Sequence, residues 1–408
     1  MTHRLQAADQ SPLEPLLMPR GNDAFGVLPR LQKALAGGAP ILPIPADDQV
    51  RAQLLCSSQR AGEPIDSDIA LVACTSGSTG EPKGAMLSVE NLAASADATH
   101  ARLGGPGQWL LATPADHIAG IQVLARSLRA GFEPVILDIE NGFDPSLLPQ
   151  SVGTMTGPRR YLSLVPLQLG KALSDPDATA ALAELDAVLV GGQATNPELL
   201  HATRAAGITV VTTYGSSETC GGVIYDGTPL DGVDVHIEQG RVIIAGPMVS
   251  RGYRIVDSDD LRDGVFRTSD AGEITAEGQV RILGRMDDVI ISGGLKFLPG
   301  PIEDAISGMP EVESVVVVPL PDLRLGQSIA ALITLPDAPF PTPPLPHTGP
   351  ISAPLELVEA IHQRVSSSLE TFAAPRTVVV TGALPTLASG KVDRQAAIRA
   401  ISAATTPA

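Results

Sequence analysis

The chain has 408 residues, too many for one ordinary core, so two or three domains are expected. Its 44% hydrophobic and 18% charged content excludes a disordered polymer, and its net charge of −17 argues against nucleic acid or an anionic membrane as partner. An anionic substrate therefore meets a repulsive overall field, and the cations that hold it must be placed locally. Three cysteines, Cys56, Cys74 and Cys220, lack metal-ligand spacing and cannot all pair, which fits a reducing cytosol. The first residues carry no apolar signal-peptide core, and no run approaches the ~18 apolar residues that cross a bilayer. The expectation is a soluble cytoplasmic protein with no membrane insertion and no nucleic-acid partner.

In chain order, residues 1–66 mix short helical patches with breaks at Pro40, Pro43 and Pro45 and hold no evident chemistry. Residues 70–74 then read as a short buried strand and residues 91–100 as a helix. Between them runs Thr75-Ser76-Gly77-Ser78-Thr79-Gly80-Glu81-Pro82-Lys83-Gly84. Glycines let backbone N–H groups approach an anion, hydroxyls add donors that swing to fit, and lysine supplies a mobile point charge. This is the chemistry of a loop folded over a polyphosphate. It lacks the Walker A spacing. The stretch resembles the phosphate-binding loop of the acyl-adenylate-forming superfamily, which includes acyl-CoA synthetases, luciferases and peptide-synthetase adenylation domains.

From residue 67 to about 282, β-branched runs (135–137, 187–190, 208–211) alternate with helical stretches (124–129, 197–206), the signature of βαβ units. The expected fold class is α/β: a large N-terminal domain (1–284) with mostly parallel sheets and flanking helices, then a smaller mobile C-terminal α+β domain (285–408). The joint lies near 285–288. In the small domain a helix is expected at 301–307, strands at 314–318 and 329–334, and a helix at 355–369. The proline-rich stretch 336–354 reads as an extended, mobile loop.

The resemblance implies roles for further motifs. His117, in Pro114-Ala115-Asp116-His117-Ile118-Ala119-Gly120, would wall the acyl site, and Gly192 and Gln193 would pass over the adenine. Tyr214, Gly215, Ser217 and Glu218 join an aromatic face, hydroxyls and a carboxylate; Ser217 would donate to a phosphate oxygen and Glu218 would hold Mg²⁺, which prefers carboxylate and phosphate oxygens. Ser217 stands where the family usually has threonine, and the hydroxyl is kept. Asp270 would accept from the ribose, Arg285 would hold the same ribose or the α-phosphate, and Asp287 would be the hinge. Gly293, Gly294 and Lys296 would line a channel for the pantetheine arm of coenzyme A. Lys391, in Pro385-Thr386-Leu387-Ala388-Ser389-Gly390-Lys391, would reach into the adenylation site.

The implied reaction uses ATP, Mg²⁺ and CoA: a carboxylate attacks the α-phosphorus, pyrophosphate leaves, and a thiol then takes the acyl group from the adenylate. At a finer level the chain resembles the o-succinylbenzoate–CoA ligases of menaquinone biosynthesis in their short actinobacterial form. The short N-terminus and the stretches 157–165, 189–193 and 225–233 carry this likeness. Such a dicarboxylate needs a grip on its second carboxylate, for which Arg159 or Arg160 is the candidate. The rival readings are another aryl or fatty acyl-CoA ligase, an enzyme that loads a separate carrier protein, and a non-catalytic nucleotide binder. A homodimer is compatible with the sequence.

Overall fold

The computed structural model describes residues 10–75, 82–336, 350–386 and 392–405. Its organising layer is a seven-stranded sheet in the order Thr228–Pro229, Gly221–Tyr225, Val210–Ser216, Ala187–Gly191, Arg160–Leu164, Gln108–Leu111, Val135–Ile136. The five strands from Val210–Ser216 onward run parallel, and Gly221–Tyr225 returns antiparallel. Both faces are covered. Trp109, Leu111, Tyr161, Ala187 and Leu189 point into one core with the helices Val89–Arg102 and Ile118–Arg129. Their neighbours Leu110, Leu162, Leu164, Val188 and Val190 point into a second core under Leu148–Gly153, Pro166–Leu173 and Pro176–Ala183. Burial on both sides is why these strands read as continuous apolar runs rather than alternating ones.

A second sheet orders Glu14–Met18, Ile41–Pro45, Ile69–Thr75 and Lys83–Ser88. Here the expected proline breaks at 40–45 are corrected: Ile41–Pro45 is a fully buried strand. Glu14 N–H donates to Pro40 O and Ala46 N–H to Met18 O, so the even positions bond the first strand. Pro43 and Pro45 turn their missing donors toward Ile69–Thr75, where the ladder holds only the pair Ile41–Leu71. A third sheet, from Asp234–Glu238 to Val280–Arg285, is antiparallel throughout, a departure from the mostly parallel expectation for this stretch.

After Arg285 the small unit begins. Its sheet runs Leu295–Phe297, Ile290–Ser292, Gly326–Thr334, Thr377–Val380, Ile351–Ser352, with Ser314–Asp322 on Gly326–Thr334. The expected helices appear as Pro299–Ser307 and Leu355–Ser368. The expected loop 336–354 falls mostly outside the described residues, but Ile351–Ser352 at its end is a strand paired with Val379 and Val380.

The helix Val89–Arg102 opens with a reciprocal cap: Ser88 Oγ accepts from Asn91 N–H and Asn91 Oδ1 from Ser88 N–H. Near its end, buried His100 accepts from Trp109 Nε1 at 3.2 Å. Burial, and then the nearby Arg126 charge, lower its pKa to about 4 from 6.5. The unfolded chain takes up a proton below pH 6.5 that the folded one refuses until about pH 4, so stability falls through that window as the pH drops. The loss is about 3 kcal/mol at most. Urea unfolding of the protein and of a His100→Gln variant checks this: between pH 7 and 4 the variant should lose distinctly less stability than the parent, and parallel curves would refute it.

Candidate active site

The parallel strands Arg160–Leu164, Ala187–Gly191 and Val210–Ser216 end side by side, at the edge where ligands of open α/β sheets bind. Steric demands fix glycine there. A Cβ on Gly191 would sit 2.2 Å from Thr213 Oγ1, and one on Gly215 only 1.9 Å from Gly221 O across the hairpin. The Gly192 backbone is left-handed (φ +86°), and a side chain there would meet only Val165 Cγ1 at 3.8 Å, so open space lies above this turn, with half-buried Gln193 next to it.

A bulge between Tyr214 and Gly215 breaks the register of this hairpin. Tyr214 Oη donates to Asp270 Oδ2 at 2.5 Å. Burial, and then the Asp270 carboxylate, hold the phenol well above its ordinary pKa, so it stays a donor. Asp270 lies opposite Arg285 in the third sheet, with Arg285 Nε 3.7 Å from Asp270 Oδ1. Arg285 Nη2 also donates to Asp287 Oδ2 at 2.8 Å. Burial opposes the Arg285 charge, but Asp287, Asp270 and Asp288 outweigh it and raise its pKa.

The turn Ser217–Thr219 follows directly, and Ser217 and Glu218 are buried in it. Tyr253 Oη donates to Glu218 Oε1 at 2.8 Å. Tyr253 in turn bridges to Ala85, flanked by Met86 N–H to Gly252 O and Arg254 N–H to Gly84 O, both 2.9 Å. The strand it borders starts at Lys83, whose Nζ lies 5.3 Å from the Tyr253 ring centroid. Thr75, paired with Lys83, donates through Oγ1 to its carbonyl at 3.4 Å. Gln59 Nε2 donates to Pro82 O at 2.8 Å, and a Cβ on Gly84 would strike Gln59 Oε1 at 2.2 Å. Lys83 and Glu218 thus meet at Tyr253, with Thr75 beside Lys83 on the neighbouring strand, and Tyr253 is a residue that sequence reading missed. The sole local signal was an aromatic after glycine in Ser250-Arg251-Gly252-Tyr253. The candidates Ser76, Gly77, Ser78, Thr79, Gly80 and Lys391 lie outside the described residues.

A magnesium ion takes carboxylate and phosphate oxygens and keeps several waters. Glu218 fits this: Tyr253 orients Oε1, and Oε2 has no donor among the described residues. Among those residues no group of three His, Cys, Asp or Glu forms a protein-only cage. Such a donor set suits a cation that arrives with nucleotide phosphates.

On the acyl side, His117 is the residue before the helix Ile118–Arg129, with Nε2 3.7 Å from Asp116 Oδ2. Gly120 is required there, since a Cβ would lie 2.3 Å from Pro114 O. Arg159 and Arg160 are corrected. They stand at the start of Arg160–Leu164, and Arg160 pairs in register with Gln108 at the other end of the sheet. Four further residues at about 3.3 Å each separate them from the strand ends. Arg160 is also engaged with Glu184 O and with Glu184 Oε2 at 3.6 Å, and the Arg159 side chain packs against Gly104 and Gly105. In the small unit, Gly293 and Gly294 form the turn between Ile290–Ser292 and Leu295–Phe297, both with positive φ (+60° and +84°), and Lys296 is exposed beside it.

No helix of the described residues is long and apolar enough to cross a membrane. The chain matches the sequence model of the AMP-binding enzyme family over residues 23–284 and that of the AMP-binding enzyme C-terminal domain over residues 301–391. It is 46% identical, over 390 residues, to a probable 2-succinylbenzoate–CoA ligase of Mycobacterium tuberculosis, covering 94% of this chain and 97% of that one. A 2-succinylbenzoate–CoA ligase of Enterococcus faecalis is 26% identical over 373 residues, 85% of this chain and 72% of the relative. In fold it resembles the o-succinylbenzoate coenzyme A synthetase of Bacillus subtilis in complex with ATP and magnesium ion (TM-score 0.74, 22% identity, 94% of this chain and 89% of that one). ATP-bound MatB from Rhodopseudomonas palustris is similar too (TM-score 0.76, 20% identity, 95% and 88% covered). With one model spanning the sheets that carry the site and a relative nearly half identical along almost its whole length, this chain belongs to the AMP-binding enzyme family.

Proposed function

We propose that the chain is an AMP-forming acid–CoA ligase acting on 2-succinylbenzoate in menaquinone biosynthesis. The observation that carries this reading is the 46% identity, over 94% of the chain, to a probable 2-succinylbenzoate–CoA ligase. The site supports it. Tyr214 and Gly192 flank an open turn for a purine, Asp270 and Arg285 offer an acceptor and a donor to ribose hydroxyls, and Lys83, Thr75, Ser217 and Glu218 face the phosphate end.

In the first half-reaction a substrate carboxylate oxygen bonds to the α-phosphorus of ATP, and the bond to the bridging oxygen breaks, releasing pyrophosphate. Both reactants are anions, so positioning and local positive charge carry the rate, without an enzyme nucleophile. Magnesium, held through Glu218, would neutralise phosphate charge; Lys83 and the loop hydroxyls serve the leaving pyrophosphate, and Lys391 the reacting centre. In the second half-reaction the CoA thiol attacks the acyl carbon, AMP leaves, and a thioester remains. Residues 285–408 would turn about Asp287 between the two steps, withdrawing Lys391 and bringing the Gly293–Gly294 turn and Lys296 beside the pantetheine arm.

Pyrophosphate release with MgATP and 2-succinylbenzoate, against benzoate and octanoate, with and without CoA, tests the reading. Selective release with 2-succinylbenzoate and a thioester on adding CoA is expected. Release with another acid keeps the reaction and discards the substrate; ATP binding without release for any acid favours a non-catalytic binder.

A further inference from the structure

Residues 1–66 hold no evident chemistry, yet one side chain from this stretch reaches the phosphate end of the site. Gln59 ends the helix Gln49–Ser58 and is only 1% exposed. Its Nε2 donates to Pro82 O at 2.8 Å, which fixes the residue before Lys83, and to Ser58 Oγ at 3.2 Å. The same amide lies against the residue after Lys83. A Cβ on Gly84 would stand 2.2 Å from Gln59 Oε1 and 2.8 Å from its Cδ. That oxygen is buried with no donor among the described residues. An unmet acceptor in a core is destabilising, and a methionine would fill nearly the same volume without one. What accounts for an amide here is the carbonyl that its nitrogen holds.

Arg254 closes the arrangement from the other side. Its Nε donates to Gln59 O at 2.6 Å, and its Nη1 and Nη2 reach Pro64 O, Arg60 O and Glu63 O at 3.1 to 3.3 Å. All four acceptors are backbone carbonyls of the helix end and the turn after it. In that turn Arg60 holds a left-handed backbone (φ +49°), a conformation that glycine more commonly supplies at a helix end. The Arg254 N–H donates to Gly84 O at 2.9 Å. Three hydrogen bonds thus close a ring: Gln59 to Pro82, along the chain through Lys83 to Gly84, across to Arg254, and back to Gln59. Lys83 occupies the middle of the span between the two fastenings. Tyr253, one residue before Arg254, has the Lys83 ammonium 5.3 Å from its ring centroid and donates to Glu218 at 2.8 Å. The ring therefore ties Lys83 and the Tyr253–Glu218 pair to one frame built on residues 59–64. A lysine side chain is long and flexible, so where its ammonium can go depends on how firmly its backbone is held.

We propose that Gln59 is a positioning residue for ATP: through Pro82 it sets where the Lys83 ammonium meets the phosphates of the nucleotide. This rests on the role given to Lys83 above. A double-mutant cycle on the Kd for MgATP, measured by equilibrium binding with the full chain, tests it. Gln59→Met keeps the volume and deletes the donor and the unmet oxygen together, so Tm should stay within a few degrees of the parent. It is expected to weaken MgATP binding about 10-fold and to leave KM for the acid within about twofold. In a Lys83→Ala background, with no ammonium left to place, the same substitution should change Kd by less than about twofold. Gln59→Glu reads the contact a second way. Its buried carboxyl donates to Pro82 O only when protonated, so its MgATP affinity relative to the parent should recover as the pH falls from about 8 to about 6, and that of Gln59→Met should not. An equal loss with and without Lys83, no loss in Gln59→Met, or a Gln59→Glu deficit that ignores pH overturns the Gln59 assignment alone. A Gln59→Met protein too unstable to purify assigns the amide to folding and overturns it likewise. A Lys83→Ala protein that binds MgATP as the parent does removes Lys83 from the phosphates, and this proposal with it.

Discussion

Glu218→Gln is expected to lower the rate of pyrophosphate release by about 10³-fold. The substitution keeps the shape of a buried side chain and still offers Tyr253 an oxygen, so the fold should survive and Tm should stay near that of the parent. What it removes is the negative charge that, on the proposed reading, would hold a divalent cation between protein and phosphates. Tyr253→Phe provides the graded comparison. It keeps the carboxylate but deletes the donor at 2.8 Å that orients it and the polar edge of the ring beneath Lys83. A drop of about 10-fold is expected there, with a higher magnesium concentration for half-maximal rate and recovery as magnesium is raised. Rates of Glu218→Gln within threefold of the parent at saturating magnesium would remove Glu218 from the metal site.

Lys391→Ala is expected to separate chemistry from binding. Adenylation should fall by about 10³-fold while the Kd for ATP changes by no more than a few-fold, because this lysine would neutralise charge only as the two anions meet. Lys391 itself lies outside the described residues, but the chain on either side is fastened. Thr386 and Val392 form an antiparallel bridge, and Asp393 N–H donates to Pro385 O at 2.8 Å. Arg394 then locks to Glu303 at 2.8 Å, to Val317 O at 2.6 Å and to Asp288 at 3.3 Å. A preformed acyl-adenylate supplied with CoA should still give thioester in this variant, since on the proposed division of roles the lysine serves only the first half-reaction. Stopped-flow with synthetic adenylate measures that step by itself; loss of both halves would contradict the division of labour.

The parts of the site that sit on one strand end and the turn after it were legible in the sequence. Tyr214, Gly215, Ser217 and Glu218 belong to a single hairpin, so their spacing along the chain is already their spacing in space. Asp270 and Arg285 were legible as separate motifs; their pairing comes from the register of two antiparallel strands. Tyr253 was not legible, because it acts on a carboxylate 35 positions away in the chain and lies in a loop without periodicity. Arg159 and Arg160 failed for a directional reason: a parallel strand gives its two ends opposite meanings, and the sequence 157–165 does not say how far its start lies from the ligand edge. Pro43 and Pro45 were misread because proline is a break only where its missing N–H is needed, and here the ladder does not need it.

Arg285 is shared between two neighbours: across the ladder it faces Asp270, and along its own chain it pairs with Asp287. A guanidinium has a fixed fork of donors, so whatever claims one prong changes what remains for the other. A nucleotide whose ribose or α-phosphate recruits Arg285 therefore weakens its tie to Asp287, and a change of backbone at Asp287 alters the welcome offered to the nucleotide. With those roles, the two events would be thermodynamically coupled, each shifting the other's equilibrium by the same factor. On the roles proposed above, nucleotide occupancy and the backbone at Asp287 would both be read by one side chain.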